Sequence, residues 1–307
     1  MTSPLVDHLR HRIRTHGPLS FHDFMDDVLY HPQFGYYCSS RNPIGREGDF
    51  YTSSDLDPVF GKLLARKFAA MAAEIGVPPE SFTIVELGAG RGLLARDILA
   101  HGRFPYRILE RSPIMRGRGR ESLCGLDVQW IDQLPANLTG CVFSNEFFDA
   151  LPVHRVVRRN GMLREIYVTE DFSEIEGGLQ AAIDAPIAEG RSGEINLDAR
   201  LWARRIAASL GHGYHMAIDY GYLEREFYAR PNGTLMCYWR RQAVVTHGHL
   251  QLVPRLGPMG RQRVKTQLTE KMPCHHCLRS SRWAYVPSSW PAYRRLSRST
   301  YLIMLAD

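Results

Sequence analysis

The 307-residue chain lacks any apolar run approaching the ~20 residues that a membrane-spanning helix needs. Its first 19 residues lack the apolar core of a secretory signal and do not indicate a transit peptide, so we expect a cytoplasmic protein without membrane insertion. Six cysteines are too few for a disulfide framework in a chain of this length. They indicate free thiols in a reducing compartment.

Acidic residues are scarce in the last part of the chain. Residues 240–307 contain 12 Lys and Arg but only 2 Asp and Glu, whereas residues 1–239 contain 26 Lys and Arg and 30 Asp and Glu. The net charge of +6 therefore belongs to the tail, and it gives no reason to expect that the rest binds nucleic acid.

Within this basic stretch, residues 243–307 form an atypical tail, in which apolar residues recur with no sustained period of two or of 3.6. It is either a basic arm for nucleic acid or another acidic partner, or a frame-shifted or disordered segment. The abrupt change of composition favours a lost reading frame. The cluster Cys274-His275-His276-Cys277 has no second spaced pair of ligands, so we expect no metal site there.

A glycine-rich turn is the most informative stretch. An apolar run at 82–87 is followed by glycines and then by helical spacing, which indicates the first crossover of a parallel α/β sheet. The pattern Glu86-x-Gly88-x-Gly90-x-Gly92 differs from the G-x-G-x-x-G spacing of dinucleotide sites, which disfavours a dinucleotide oxidoreductase. It resembles motif I of class I S-adenosylmethionine (SAM) methyltransferases. A tight turn without a ligand is the alternative.

Acidic side chains follow two further predicted strands. Glu110 ends the strand at 106–110, where an acid can accept hydrogen bonds from both ribose hydroxyls of a nucleotide or can simply face water. The predicted strand at 140–144 runs into a stretch from Asn145 to His154 that contains two carboxylates and two phenylalanines. Ligands of open α/β sheets bind at the carboxyl ends of the strands, and buried polar groups are costly without partners. We therefore expect a functional site there.

The remaining patterns predict several helices and a hairpin. Helices are expected at 5–15, 21–29, 59–75 and 197–210, the last containing Leu201, Trp202, Ile206 and Leu210. A β-hairpin is expected at 156–168 around the turn Asn160-Gly161. The acidic segment 171–191 is expected to be an exposed insertion, and 45–53 to be a surface loop or a lid over a ligand.

Six sequence blocks together resemble the MidA-type family of SAM-dependent methyltransferases over about residues 5–240. They are Gly35-Tyr36-Tyr37, Gly48-Asp49-Phe50-Tyr51-Thr52, Glu86 to Gly92, Asn145 to His154, Ile218-Asp219-Tyr220-Gly221 and Gly233-Thr234-Leu235. The family includes a mitochondrial assembly factor for respiratory complex I that methylates protein arginine.

The resemblance implies an α/β fold of the class I methyltransferase (Rossmann-like) type. Its sheet would have seven mostly parallel strands with helices on both faces and one antiparallel strand near an edge. We expect an N-terminal helical and lid region at 1–80, a SAM-binding domain at 81–242 with an inserted hairpin near 155–195, and the atypical tail at 243–307.

The resemblance also implies a division of the site between SAM and a methyl acceptor. The residues expected to hold SAM are Gly88, Gly90 and Gly92 beside its methionine and ribose, Glu110 on the ribose hydroxyls, and Glu86, Asp49 and Thr52 nearby. The residues expected to act on the acceptor are Glu146, which would hold it, Asn145, and Asp149 or His154 as an assisting group, although His154 could equally be structural.

The implied acceptor is a protein arginine, and a respiratory complex I subunit is the implied partner. A small-molecule acceptor stays open at this point. Two other classes of function also stay open: a non-catalytic assembly factor that retains the fold, and a protein that binds nucleic acid through its basic tail.

Overall fold

The computed structural model describes residues 3–39, 58–219, 228–230, 233–239, 242–244, 263–265, 284–286 and 302–304. The predictions for the 45–53 loop, for Asp49 and Thr52, for the Cys274 to Cys277 cluster and for most of the basic tail therefore lie outside the described residues. None of the helices in the described part is both long and apolar enough to cross a bilayer.

A parallel sheet forms the centre of the fold. In spatial order its strands are β10 (Leu210–Ile218), β5 (Leu138–Asn145), β2 (Thr83–Leu87), β3 (Tyr106–Leu109) and β4 (Val128–Ile131). All four pairings are parallel. Strand β2 lies in the middle and is almost wholly buried, as expected for an apolar run covered on both faces.

Helices cover both faces of this sheet. On one face, α3 (Val59–Glu74), α4 (Leu93–Leu99) and α5 (Pro113–Ser122) enclose a core that includes Phe68, Ile84 and Phe143. On the other face, α6 (Leu197–Ser209) packs over Val85 and Val142. The α/β class I methyltransferase fold predicted from the sequence is confirmed, with five parallel strands in the described residues.

A second, antiparallel sheet stands beside the first. Its strands are β1 (Leu19–Ser20), β7 (Met162–Val168), β6 (His154–Arg159) and β9 (Ser192–Ile195) in that order, with β8 (Glu174–Gly177) paired to β7. The predicted hairpin is β6–β7, and Asn160 and Gly161 both have the positive φ, 51° and 76°, that its tight turn requires.

Two N-terminal helices, α1 (Pro4–His16) and α2 (Phe21–Tyr30), share an apolar core with this second sheet. Ser20 caps α2 by accepting a hydrogen bond from the backbone N–H of Asp23, as its position predicts. Most residues of 171–191 are exposed, as expected, but the segment also contributes to the second sheet and its core. Residues 174–177 form β8, and Ile183 and Ile187 are buried against β6 and β9.

The short strands described after residue 235 pair with one another. β11 (Met236–Trp239) lies between β12 (Gln242–Val244) and β13 (Arg263–Lys265), and β14 (Ala284–Val286) pairs with β15 (Leu302–Met304). All of these pairings are antiparallel.

Candidate functional site

A cavity of about 380 Å³ opens at the carboxyl ends of β2, β3 and β5. The chain passes from β2 to β3 on one side of the sheet, whereas β5 lies on the other side of β2, so the cavity is at the point where the strand order reverses. This volume is within the usual range for a small-molecule site. Six of the residues predicted for the site line the cavity: Glu86, Gly88, Gly90, Glu110, Asn145 and Glu146.

The glycine turn forms the floor of the cavity. Gly88, Gly90 and Gly92 have φ angles of 69°, 57° and 71°, in the left-handed region that disfavours other residues. A Cβ at Gly88 would lie 2.9 Å from Cδ2 of Phe147. Gly92 is the N-cap residue of α4 and does not line the cavity; a Cβ there would lie 2.8 Å from Cδ1 of Leu123. The alternating glycines therefore provide both the turn and the close approach of a ligand to the backbone.

Glu110 ties the end of β3 to this turn. Its Oε2 accepts a hydrogen bond from the backbone N–H of Gly90 (2.9 Å), and its Oε1 accepts one from the backbone N–H of Ser112 (2.8 Å). Burial raises the pKa of Glu110, and these two hydrogen bonds partly offset that effect. Because a carboxylate can accept about four hydrogen bonds, Glu110 keeps the capacity to accept hydroxyl groups of a ligand.

Glu86 is a buried acid at the base of the cavity, only 3% exposed. Burial raises the pKa of Glu86 to about 7, while a hydrogen bond from the hydroxyl of Tyr106 (2.8 Å) lowers it and the nearby charge of Glu110 adds to the rise. A cationic ligand would favour the charged form of Glu86. This acid therefore suits a positively charged ligand.

Asn145 and Glu146 form the wall at the end of β5. Glu146 is one of four residues other than glycine with positive φ in the described part of the chain (50°), and its backbone N–H donates to the carbonyl of Ile218 (2.8 Å). Such strained backbone is concentrated at functional sites because the surrounding structure must enforce it. The ring of Phe147 stands beside them, over the position of Gly88.

Asp149 and His154 are not brought to the cavity wall. Asp149 is fully buried in the short 3₁₀ turn Phe148–Ala150. His154 begins β6 in the second sheet, where its Nδ1 lies 2.7 Å from Oε1 of Glu165 and its ring stacks on His22. The turn after β5 directs the chain away from the cavity, so we do not place either residue in direct contact with an acceptor.

Comparison with known proteins agrees with this geometry. Residues 63–253 match the model of a family described as "Putative S-adenosyl-L-methionine-dependent methyltransferase". The chain belongs to this methyltransferase family. A crystal structure of a superfamily member from Burkholderia thailandensis, bound to S-adenosyl-homocysteine, is similar with a TM-score of 0.73 and 29% identity, covering 86% of this chain and 73% of that one.

The curated relatives carry a more specific name. The chain is 30% identical over 210 residues to "Protein arginine methyltransferase NDUFAF7 homolog, mitochondrial" of Drosophila melanogaster, covering 58% of this chain and 47% of that protein. It is 30% identical over 203 residues to the human "Protein arginine methyltransferase NDUFAF7, mitochondrial", covering 55% of this chain and 46% of that protein. The chain thus spans about half the length of the curated relatives it matches.

One wall of the methyltransferase cavity is a helix face that sequence reasoning missed. Four residues of α6 line the cavity: Asp198, Leu201, Trp202 and Arg205. Their spacing of i, i+3, i+4 and i+7 places them on one face of the helix. The sequence identified Leu201 and Trp202 only as residues of this helix. The core face is formed by the smaller residues Ala199 and Ala203 together with Ile206.

The N-terminal segment closes the opposite wall. Tyr30 and Tyr37 line the cavity. The hydroxyl of Tyr30 donates to the carbonyl of Ala150 (2.9 Å), and the hydroxyl of Ser112 donates to the carbonyl of Tyr37 (2.7 Å). The guanidinium of Arg111, another lining residue, lies over the Tyr30 ring at 4.4 Å. Tyr37 belongs to the Gly-Tyr-Tyr block, the one sequence signal that could have indicated this wall.

Proposed function

We propose that this protein is a SAM-dependent methyltransferase that transfers a methyl group to an arginine of a protein substrate. The observation that carries this proposal is a single cavity that joins the glycine turn and Glu110 to the acidic wall at Glu146. Family membership and the names of the curated relatives support it. A complex I subunit as the substrate, and a cytoplasmic location, remain expectations.

The residues at the glycine turn fit SAM. Gly88 and Gly90 line the cavity without side chains, so a ligand can approach the backbone there. Gly88, Gly90 and Glu86 would lie beside the methionine and ribose portion, and Glu110 would accept hydrogen bonds from the ribose hydroxyls. SAM, when bound, supplies an electrophilic methyl group on a positively charged sulfur.

The protein's contribution to the reaction is positioning and charge. Asn145 and Glu146 would orient the acceptor guanidinium, because carboxylates form strong paired hydrogen bonds with its planar N–H groups. The acceptor nitrogen forms the new N–C bond with its lone pair as the C–S bond breaks and leaves its electrons on sulfur. The nitrogen then loses a proton to water or to Glu146. Correct alignment of the two reactants can supply most of the rate.

The substitution Glu146→Gln tests this proposal, with Glu176→Gln as a matched control. Glu176 lies on β8 in a surface ion pair with Arg159, away from the cavity. Transfer of tritium-labelled methyl from SAM to arginine-containing peptides is measured, with methylarginine identified after hydrolysis. We expect the Glu146 variant to lose about 100-fold in kcat/KM, within the range for one charged catalytic contact, while SAM binding is retained. Transfer at the wild-type rate in that variant would contradict the assigned role.

A further inference from the structure

A second acidic residue, Asp198, lines the same cavity as Glu146 but comes from a different element. It lies in the first turn of α6, on the face that includes Trp202. The start of α6 is fixed by Asn196, whose Oδ1 accepts a hydrogen bond from the backbone N–H of Ala199 (2.8 Å) and whose Nδ2 donates to the carbonyl of Phe148 (3.2 Å). Asp198 is therefore held in a constant position relative to the turn that follows β5.

The topology places Asp198 on the acceptor side of the cavity. Strand β5 separates β10 from β2, and α6 packs on β5 and β10 through Ile206 and its neighbours. The predicted cofactor groups, Glu86 and Glu110, are at the ends of β2 and β3, beyond the Phe147 ring. An acceptor entering from the α6 side would meet Asp198 and Trp202 before it reached the glycine turn.

His22 of α2 lies behind Asp198. Its Nε2 is 3.4 Å from Oδ2 of Asp198, and its Nδ1 is 3.3 Å from Oδ1 of Asp23. The His22 ring stacks on His154 with centroids 4.7 Å apart, and His154 contacts Glu165 in turn. Burial alone would lower the pKa of His22, but hydrogen bonds and charge interactions with Asp198 and Asp23 raise it to about 9.

The charges along α6 favour a cation near its first turn. Arg205, two turns further on, lies over the Trp202 ring at 5.5 Å, and the Trp202 and Phe147 rings pack edge to face with centroids 5.2 Å apart. A cationic acceptor would be repelled at the Arg205 end and attracted at the Asp198 end. One contact with His22 leaves the Asp198 carboxylate with the capacity to accept further hydrogen bonds.

We propose that Asp198 binds the methyl acceptor as a second carboxylate beside Glu146, and that His22 is the positioning residue that holds Asp198 toward the cavity. The acceptor is then a cationic guanidinium rather than a neutral group. This inference rests on the proposed function, because it assigns the acceptor end of the same site.

A binding experiment tests the role of Asp198. The full chain is saturated with S-adenosyl-homocysteine and titrated with Nα-acetyl-arginine N-methylamide or with its neutral citrulline counterpart. We expect wild type to prefer the arginine probe, and Asp198→Asn to weaken its binding about tenfold or more, as for loss of a hydrogen bond to a charged group. Affinity for S-adenosyl-homocysteine should not change, and Glu176→Gln should behave as wild type.

Two results would overturn this role: equal binding of the arginine probe by wild type and Asp198→Asn, or no preference for arginine over citrulline in wild type. If wild type still transfers methyl groups from SAM in either case, the proposed function stands and only the assignment of Asp198 falls. If wild type does not bind SAM at all, both fail.

The role of His22 is tested by the pH dependence of the same titration. The groups that face His22 are Asp23, Asp198 and His154, with Glu165 behind His154. The His22 imidazolium lies 3.4 Å from the Asp198 carboxylate and repels a second cation there, so affinity for the arginine probe should rise in wild type as His22, whose pKa is about 9, loses its proton. His22→Gln should lack this rise, and His22→Ala, which also removes the hydrogen-bond donor, should bind the probe more weakly below pH 8. An identical pH profile in wild type and His22→Gln would refute the positioning role.

Discussion

Replacement of Gly88 by alanine separates the effect of the cofactor cradle from that of backbone strain. The matched control is Gly161→Ala at the tip of the β6–β7 hairpin, because the two glycines have similar φ angles of 69° and 76°. A Cβ at Gly161 meets nothing within 4 Å, whereas a Cβ at Gly88 lies 2.9 Å from the Phe147 ring. The two variants therefore share the conformational cost and differ in the space that they fill.

The left-handed conformation costs a residue other than glycine about 1–2 kcal/mol. We expect urea denaturation to show that loss of stability in both variants, with a larger loss for Gly88→Ala if Phe147 cannot shift. In calorimetric titrations, Gly88→Ala should bind S-adenosyl-homocysteine at least about tenfold more weakly, which corresponds to about 1.4 kcal/mol. Gly161→Ala should bind it as wild type does. Equal affinity in Gly88→Ala and wild type would refute the assignment of the turn to the cofactor.

Three further substitutions test the buried acid and the N-terminal contact. The pKa of Glu86 in the ligand-free protein is about 7 and the cofactor is cationic, so the affinity of wild type for SAM should rise with pH between about 6 and 8. Calorimetry should show that Glu86→Gln loses this pH dependence. The folded state holds the Glu86 proton between pH 4.5 and 7 while the unfolded chain releases it. The free energy of unfolding should therefore fall by about 3 kcal/mol over that interval in wild type relative to Glu86→Gln. Tyr106→Phe removes the hydrogen bond to Glu86 and should cost about 1–3 kcal/mol of stability above pH 7, with a smaller loss at pH 5. Ser112→Ala removes both the α5 cap and the hydrogen bond to Tyr37, and thermal denaturation should show a loss of about 1–2 kcal/mol; an unchanged midpoint would contradict the structural role of this buried hydroxyl.

Sequence patterns predicted the parallel sheet and the groups at its carboxyl edge. The run of apolar residues into Glu86 and the glycines after it identify β2 and the turn, because few structures need three alternating glycines between a strand and a helix. Glu110 and Glu146 follow from the same reasoning, since the ends of parallel strands meet at one edge of the sheet. Those predictions depend on local sequence and on simple topology.

The α6 wall could not be predicted in this way. The large apolar residues of the helix, Leu201, Trp202 and Ile206, do not by themselves show which face meets the sheet. In the fold, Ala199 and Ala203 face the sheet because small side chains let the helix lie close to it, which leaves Trp202 to line the cavity. The choice between two apolar faces of one helix depends on what each face meets, and that information is tertiary.

The positions of His22 and His154 also depend on tertiary structure and could not be predicted from local sequence. Much of the sequence block that contains His154 lines the cavity, but the chain leaves the cavity after Pro152, and His154 begins a strand of the second sheet. His22 is distant in sequence from Asp198, and α2 brings the two together by packing on that sheet. The contact between an N-terminal helix and the acceptor wall is therefore a property of the assembled fold.

Calorimetric titration of the full chain with S-adenosyl-homocysteine, and separately with NAD, tests the central claim most directly. We expect binding of one S-adenosyl-homocysteine per chain and no binding of NAD at the same concentrations. Glu110→Gln should bind S-adenosyl-homocysteine at least about tenfold more weakly, since that substitution removes a charged hydrogen-bond acceptor. Binding of NAD in place of S-adenosyl-homocysteine, or wild-type affinity in Glu110→Gln, would contradict that claim.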